Sequence, residues 1–208
     1  MNVLVAYERS QVITQQFRER GHQAYSCDLL PSYGNLPQYH IINDAHVVMK
    51  EGFWDLIIMH PPCTFTCLSG NGYYAGSNER RQAIAYIIET WTLACNCSPR
   101  VCLEQPKSVL SKYIGKPSQV IHPWQFGHPE KKETWLWLRR LPRIKPTNIV
   151  RERSLRLTNY PKSKERSAIR SQTFTGIAEA MSSQWGILNA IRGVAHDKNP
   201  FLQLSLFN

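Results

Sequence analysis

The chain predicts an α/β fold with a mostly parallel sheet and helices on both faces. Three observations carry this. Strand-like and helix-like stretches alternate through residue 105, the mark of βαβ units. The run Trp54-Asp55-Leu56-Ile57-Ile58-Met59 reads as a buried strand and breaks at Pro61-Pro62-Cys63. A second apolar run, Val101-Cys102-Leu103, ends in Glu104-Gln105-Pro106.

The elements follow in order. Residues 2–7 predict a first strand, around Val3-Leu4-Val5-Ala6. Residues 10–20 predict a helix, with Val12, Ile13 and Phe17 on one face and Gly21 as its stop. A second strand ends at Cys27-Asp28. The stretch 30–39 holds Pro31, Gly34 and Pro37 and reads as a loop, and residues 40–42 read as a short third strand. The fourth strand leads to Cys63. Residues 64–78, rich in Gly, Asn, Ser and Tyr, predict a mobile loop that closes over a substrate. Asn78 is placed to cap a helix over 79–95. The fifth strand reaches Glu104. Residues 124–127 and 134–138 read as strands around a turn at Gly127-His128-Pro129. A last helix is expected over 176–191. The organisation is one domain over 1–192, with a short basic insertion at 143–170, and a tail over 193–208.

The formal net charge is +10, and the stretch 100–170 holds the whole surplus. A basic half of this kind favours a polyanionic partner over a merely solvated face. Six cysteines occur without a paired CxxC, and the chain opens directly on a strand-like run. Reduced thiols in the cytoplasm are expected, with no metal site. No stretch is long and apolar enough to cross a membrane.

A cysteine and a glutamate, each at the carboxyl end of a strand, can converge on one ligand above a parallel sheet. Cys63 is the candidate nucleophile and Glu104 the candidate acid, a pair suited to an electron-poor aromatic ring. Asp28 ends the second strand and reads either as a partner for ribose hydroxyls or as a turn residue. Asp44, after the third strand, reads either as a contact to an adenine amino group or as a cap. The first strand's exit, Tyr7-Glu8-Arg9-Ser10-Gln11, has no glycine, so a dinucleotide pyrophosphate has no cradle. An adenosine cofactor without phosphate, such as S-adenosylmethionine, fits better.

Residues 55–70 and 101–106 resemble the Pro-Cys and Glu-Asn motifs of the DNA cytosine-5 methyltransferases. The chain is most similar to a small phage-type branch. The segments Lys116-Pro117-Ser118-Gln119, Pro123-Trp124-Gln125-Phe126-Gly127-His128 and 170–186 belong to the same resemblance, which covers residues 2–186. It implies a Rossmann-like class I S-adenosylmethionine-dependent methyltransferase fold. It also implies a chemistry: Cys63 adds to C6 of cytosine, Glu104 engages N3, and C5 takes the methyl group. The target base must be flipped out or single-stranded. Residues 7–17 stand at the family's cofactor loop, so Tyr7, Glu8, Asp28, Asp44 and Pro61 are the expected cofactor contacts. Residues 129–132 stand at a strand entry that contacts DNA. Lys131, Lys132, Arg139, Arg140 and Arg143 are the expected phosphate contacts. The chain departs from the pattern at its glycine-free loop, at Gln105 in place of asparagine, and in its short insertion.

The tail carries a separate signal. Gln203, Leu204, Leu206 and Phe207 resemble the peptide by which bacterial replication and repair proteins dock on the sliding clamp. The expected function is a phage-encoded DNA cytosine C5 methyltransferase of low sequence specificity, recruited to that clamp. Two alternatives stand beside it: an inactive methyltransferase-like protein that binds DNA or the clamp, and C5 modification of a free cytosine nucleotide. Amino-group methylation is disfavoured, since it calls for Asp or Asn where His60 precedes the two prolines.

Overall fold

A computed structural model describes residues 1–155 and 172–188. Its centre is a seven-stranded sheet: β1 (Asn2–Ala6), β2 (Gln23–Asp28), β3 (His40–Ile42), β4 (Leu56–Met59), β5 (Val101–Pro106), β6 (Gln119–Ile121) and β7 (Thr134–Arg139). The strand order is β3-β2-β1-β4-β5-β7-β6. All neighbours from β3 to β5 pair in parallel. Only β7 runs against its neighbours. This is the Rossmann-like class I methyltransferase fold.

Continuous apolar runs make the central strands because both sheet faces are covered. Alternate residues serve the two faces. Leu4, Ala6, Ile57, Met59 and Leu103 join one core with Val48 and Met49 of α2 (Ala45–Glu51) and Ile84 and Ile87 of α4 (Asn78–Cys97). Val3, Val5, Leu56, Ile58 and Cys102 join the other with Ile13 and Phe17 of α1 (Val12–Glu19) and Met181 and Trp185 of α5 (Thr175–Trp185). A short helix, α3 (Asn71–Tyr74), precedes α4. Each fully buried aliphatic side chain contributes about 1.5–3 kcal/mol, so these two layers fix the sheet's register.

The structure corrects several sequence expectations. Helix α2 replaces an unassigned stretch; seven residues are too few for a clear helical period. Ser77, not Asn78, caps α4, its hydroxyl accepting from Arg80 N at 3.2 Å. The strand expected over 124–127 is a 3₁₀ turn, Pro123–Gln125. Pro123 brings no amide to a ladder, and the Gln125 side chain turns back to accept from His122 N at 2.8 Å. Strand β6 lies just before this turn. Helix α5 starts at Thr175, and the residues past 188 lie outside the described ones.

The order reverses between β1 and β4: the chain runs outward to β2 and β3 on one side and to β5 on the other. In open α/β sheets, ligands bind at the carboxyl ends of the strands at such a switch point. The turns after β1 and β4 and the end of β5 therefore frame the candidate site. No helix among the described residues is long and apolar enough to cross a membrane.

Candidate active site

The β4 ladder runs one residue past the strand, with His60 N donating to Ala6 O at 3.1 Å. Two prolines then fix φ and withhold their donors, and the chain turns sharply at Cys63. Its carbonyl accepts from Thr66 N at 3.1 Å and Cys67 N at 3.0 Å. Gln105, 1% exposed, bolts this turn to β5. Its Nε2 donates to Pro61 O at 2.5 Å, and its Oε1 accepts from Thr66 Oγ1 at 3.1 Å. The residue that departs from the family pattern is thus the one that holds the cysteine turn against the glutamate strand.

Glu104 points to the sheet face that carries α5. Its Oε2 lies 2.9 Å from His60 Nδ1, with the two side chains 18% and 13% exposed. Glu104 and Lys132 line a small cavity closed by Phe174, Ile177 and Met181. Burial alone would raise the Glu104 pKa, but the His60 hydrogen bond and charge, with Lys132, hold it below the usual glutamate value. Burial, and then the Glu104 charge, push the Cys63 thiol up, while Lys132 pulls it down. Cys63 thus lies within reach of the Glu104 and Lys132 charges, and the cavity itself is lined by Glu104 and Lys132. All six cysteines are free.

The segment 64–78, expected to be mobile, is laced down over 64–71. Leu68 N donates to Lys107 O and Val109 N to Thr66 O, both at 2.9 Å. The buried Arg80 guanidinium reaches Phe65 O, Asn71 Oδ1 and Cys67 O. Sequence reading missed Arg80, Gln105 and His60. Arg80 left no signal, Gln105 stood out only as the departure from asparagine, and His60 as a titratable side chain at the exit of a central strand.

The expected cofactor residues divide. Asp28 closes a turn with Oδ1, which accepts from Leu30 N at 2.9 Å. Asp44 caps α2 with Oδ1, which accepts from His46 N at 2.7 Å. Among the described residues each second carboxylate oxygen has no hydrogen-bond partner, at the ends of the adjacent strands β2 and β3. These two acceptors fit the ribose hydroxyls and amino group of a nucleoside. Glu8 does not fit. It is 4% exposed, and its carboxylate accepts from Ile13 N, Thr14 N and Thr14 Oγ1. It is a cap for α1. Tyr7 takes a left-handed φ of 63°, and its hydroxyl bonds Tyr86 at 2.7 Å. Pro61 is buried and offers only the carbonyl that Gln105 occupies. Gln11, also left-handed at φ 59°, pins the β2–β3 loop. Its Nε2 donates to Ser26 Oγ and Leu36 O, and its Oε1 accepts from Ser32 Oγ and Leu36 N.

The expected phosphate contacts divide as well. Lys132 faces the site, and Lys131 beside it is exposed. Arg139 does not join them. Thr134 pairs with Pro106 at the site end of β5, but Arg139 pairs with Val101 at the other end. Five strand steps separate the two ends by about 17 Å. Arg139 donates to Ser98 O at 3.3 Å, and Arg140 and Arg143 follow it away from the site. The antiparallel course of β7 is the reason. Gln203, Leu204, Leu206 and Phe207 lie outside the described residues.

No family model matches the chain, and no curated protein matches it. Among solved structures it is similar to a DNMT2 mutant from Spodoptera frugiperda, at 16% identity and a TM-score of 0.41. The likeness covers 79% of this chain, which spans 61% of that one. The fold stands on the strand order and pairing described above.

Proposed function

We propose that the chain is an S-adenosylmethionine-dependent DNA cytosine C5 methyltransferase, phage-encoded, of low sequence specificity and recruited to the bacterial sliding clamp. One observation carries the reaction: Cys63, in the turn after β4, and Glu104, near the carboxyl end of the neighbouring β5, stand together at the switch point, where the Gln105 side chain ties the two segments. A pyrimidine lying there meets a nucleophile at C6 and an acid at N3. The Glu104 charge opposes the thiolate. Protonation of Glu104 against N3 removes that opposition, so the acid and the nucleophile become ready together. Asp28 and Asp44 hold the cofactor's nucleoside, and when bound it supplies the methyl group. Lys131 and Lys132 meet the phosphates.

The test is incubation with labelled S-adenosylmethionine and DNA, followed by base analysis. Cys63→Ala should abolish transfer and retain DNA binding. Label that still enters C5 of cytosine in that variant removes Cys63 from the mechanism.

The turn after β1 favours a second reading, a protein that binds DNA or the clamp without catalysis. Glu8 is spent on α1, and tyrosine and glutamine hold left-handed positions that glycine adopts without strain. Calorimetric titration with S-adenosylmethionine separates the two readings: a pure binder of macromolecules gives no heat.

A further inference from the structure

His60 has no role in the chemistry above, yet it sits at the centre of it. It is the last residue held in the β4 ladder and the first of the His60-Pro61-Pro62-Cys63 turn. Its Nδ1 lies 2.9 Å from Glu104 Oε2. An ionised carboxylate only accepts, so Nδ1 carries the hydrogen. The other ring nitrogen, Nε2, is shielded from water and has no partner among the described residues. Buried polar groups are mostly hydrogen-bonded, and His60 Nε2 is one of three exceptions among the described side chains, with Asn2 Nδ2 and His122 Nδ1.

We infer that His60 is a positioning residue for the proposed reaction: its Nδ1–H occupies Glu104 Oε2, so that Oε1 is the oxygen turned to the pyrimidine. This rests on the reading of Cys63 and Glu104 given above. The consequence is geometric. A carboxyl group presents two equivalent oxygens, and a proton on the wrong one cannot reach N3. With Oε2 engaged, the proton taken up from solvent on binding resides on Oε1. His60 also keeps Glu104 ionised in the empty site, so proton uptake waits for the base. The charged and titratable groups around the pair are Glu8 from the turn after β1, Cys63 from the turn after β4, Cys102 from β5 and Lys132 before β7. None of them donates to Oε2 in place of the imidazole.

Two measurements test this. In protein labelled with ¹³C-glutamate, the Glu104 carboxyl resonance, assigned with Glu104→Gln, should titrate below the ordinary glutamate range. In His60→Ala its midpoint should move up, because burial then acts with only Lys132 against it. An unchanged midpoint overturns the inference. In the methyl-transfer assay, His60→Ala should lose ~100-fold in turnover, the scale of a misplaced catalytic group. His60→Asn, whose amide nitrogen donates from nearly the same place, should recover most of that loss. An asparagine variant as slow as alanine, with a matching melting temperature, also overturns it. A wild-type protein that transfers no methyl group sinks the proposed reaction and leaves the resonance to decide His60.

Discussion

Glu8 shows how a residue's chemistry is set by what it touches. In sequence it is an acid at the exit of the first strand. In the structure it is enclosed and accepts three hydrogen bonds from the start of α1. Burial raises its pKa, and Thr14 and His60 work the other way. Glu8→Ala leaves those amides without an acceptor and should cost about 2 kcal/mol, read as a lower urea midpoint at unchanged slope. The places of Cys63 and Glu104, after β4 and near the end of β5, were legible because each apolar run breaks close to a proline. The bonds of His60 and Gln105 were not, since their partners lie 39 to 44 positions away in the chain.

At the scale of elements, the sheet was legible and its trimmings were not. Long apolar runs announce β1, β4 and β5. The alternation of the two cores is the direct reading of their period of two. Helix α2 and strand β6 are too short to show a period, and Pro123 disguised a 3₁₀ turn as a strand. The segment after Cys63 is the instructive failure. Glycine, asparagine and serine promised mobility, and a buried arginine withdrew it. Arg80 belongs to α4 by sequence and to the 65–71 segment by its bonds. Arg80→Ala removes three charge-assisted hydrogen bonds. It should open 64–78 to limited proteolysis, with little change in the far-ultraviolet helix signal. A cleavage rate equal to wild type would show that backbone bonds alone hold the segment.

At the scale of the molecule, the basic residues on β7 and its approach are divided between two ends of the sheet. Composition predicted one polyanion-binding face that takes in β7 and its approach. The antiparallel run of β7 instead sends Arg139 to the amino end of β5 and leaves Lys132 beside the site. This distinction has a thermodynamic signature. Lys132→Gln should lower the slope of log affinity against log salt for single-stranded DNA by about one. Arg139→Gln should leave that slope unchanged. Equal effects would mean that DNA spans both ends.

The Gln11 amide uses its two donors and two acceptors in full, one on Ser26 of β2 and three on Ser32 and Leu36 of the loop that follows. It works as a splice. The proline- and glycine-bearing stretch from 31 to 37 is a connector by composition, yet mechanically it is welded to the first strand's exit. A cut or a graft placed there, where surface connectors usually forgive one, would unload the innermost layer of the protein.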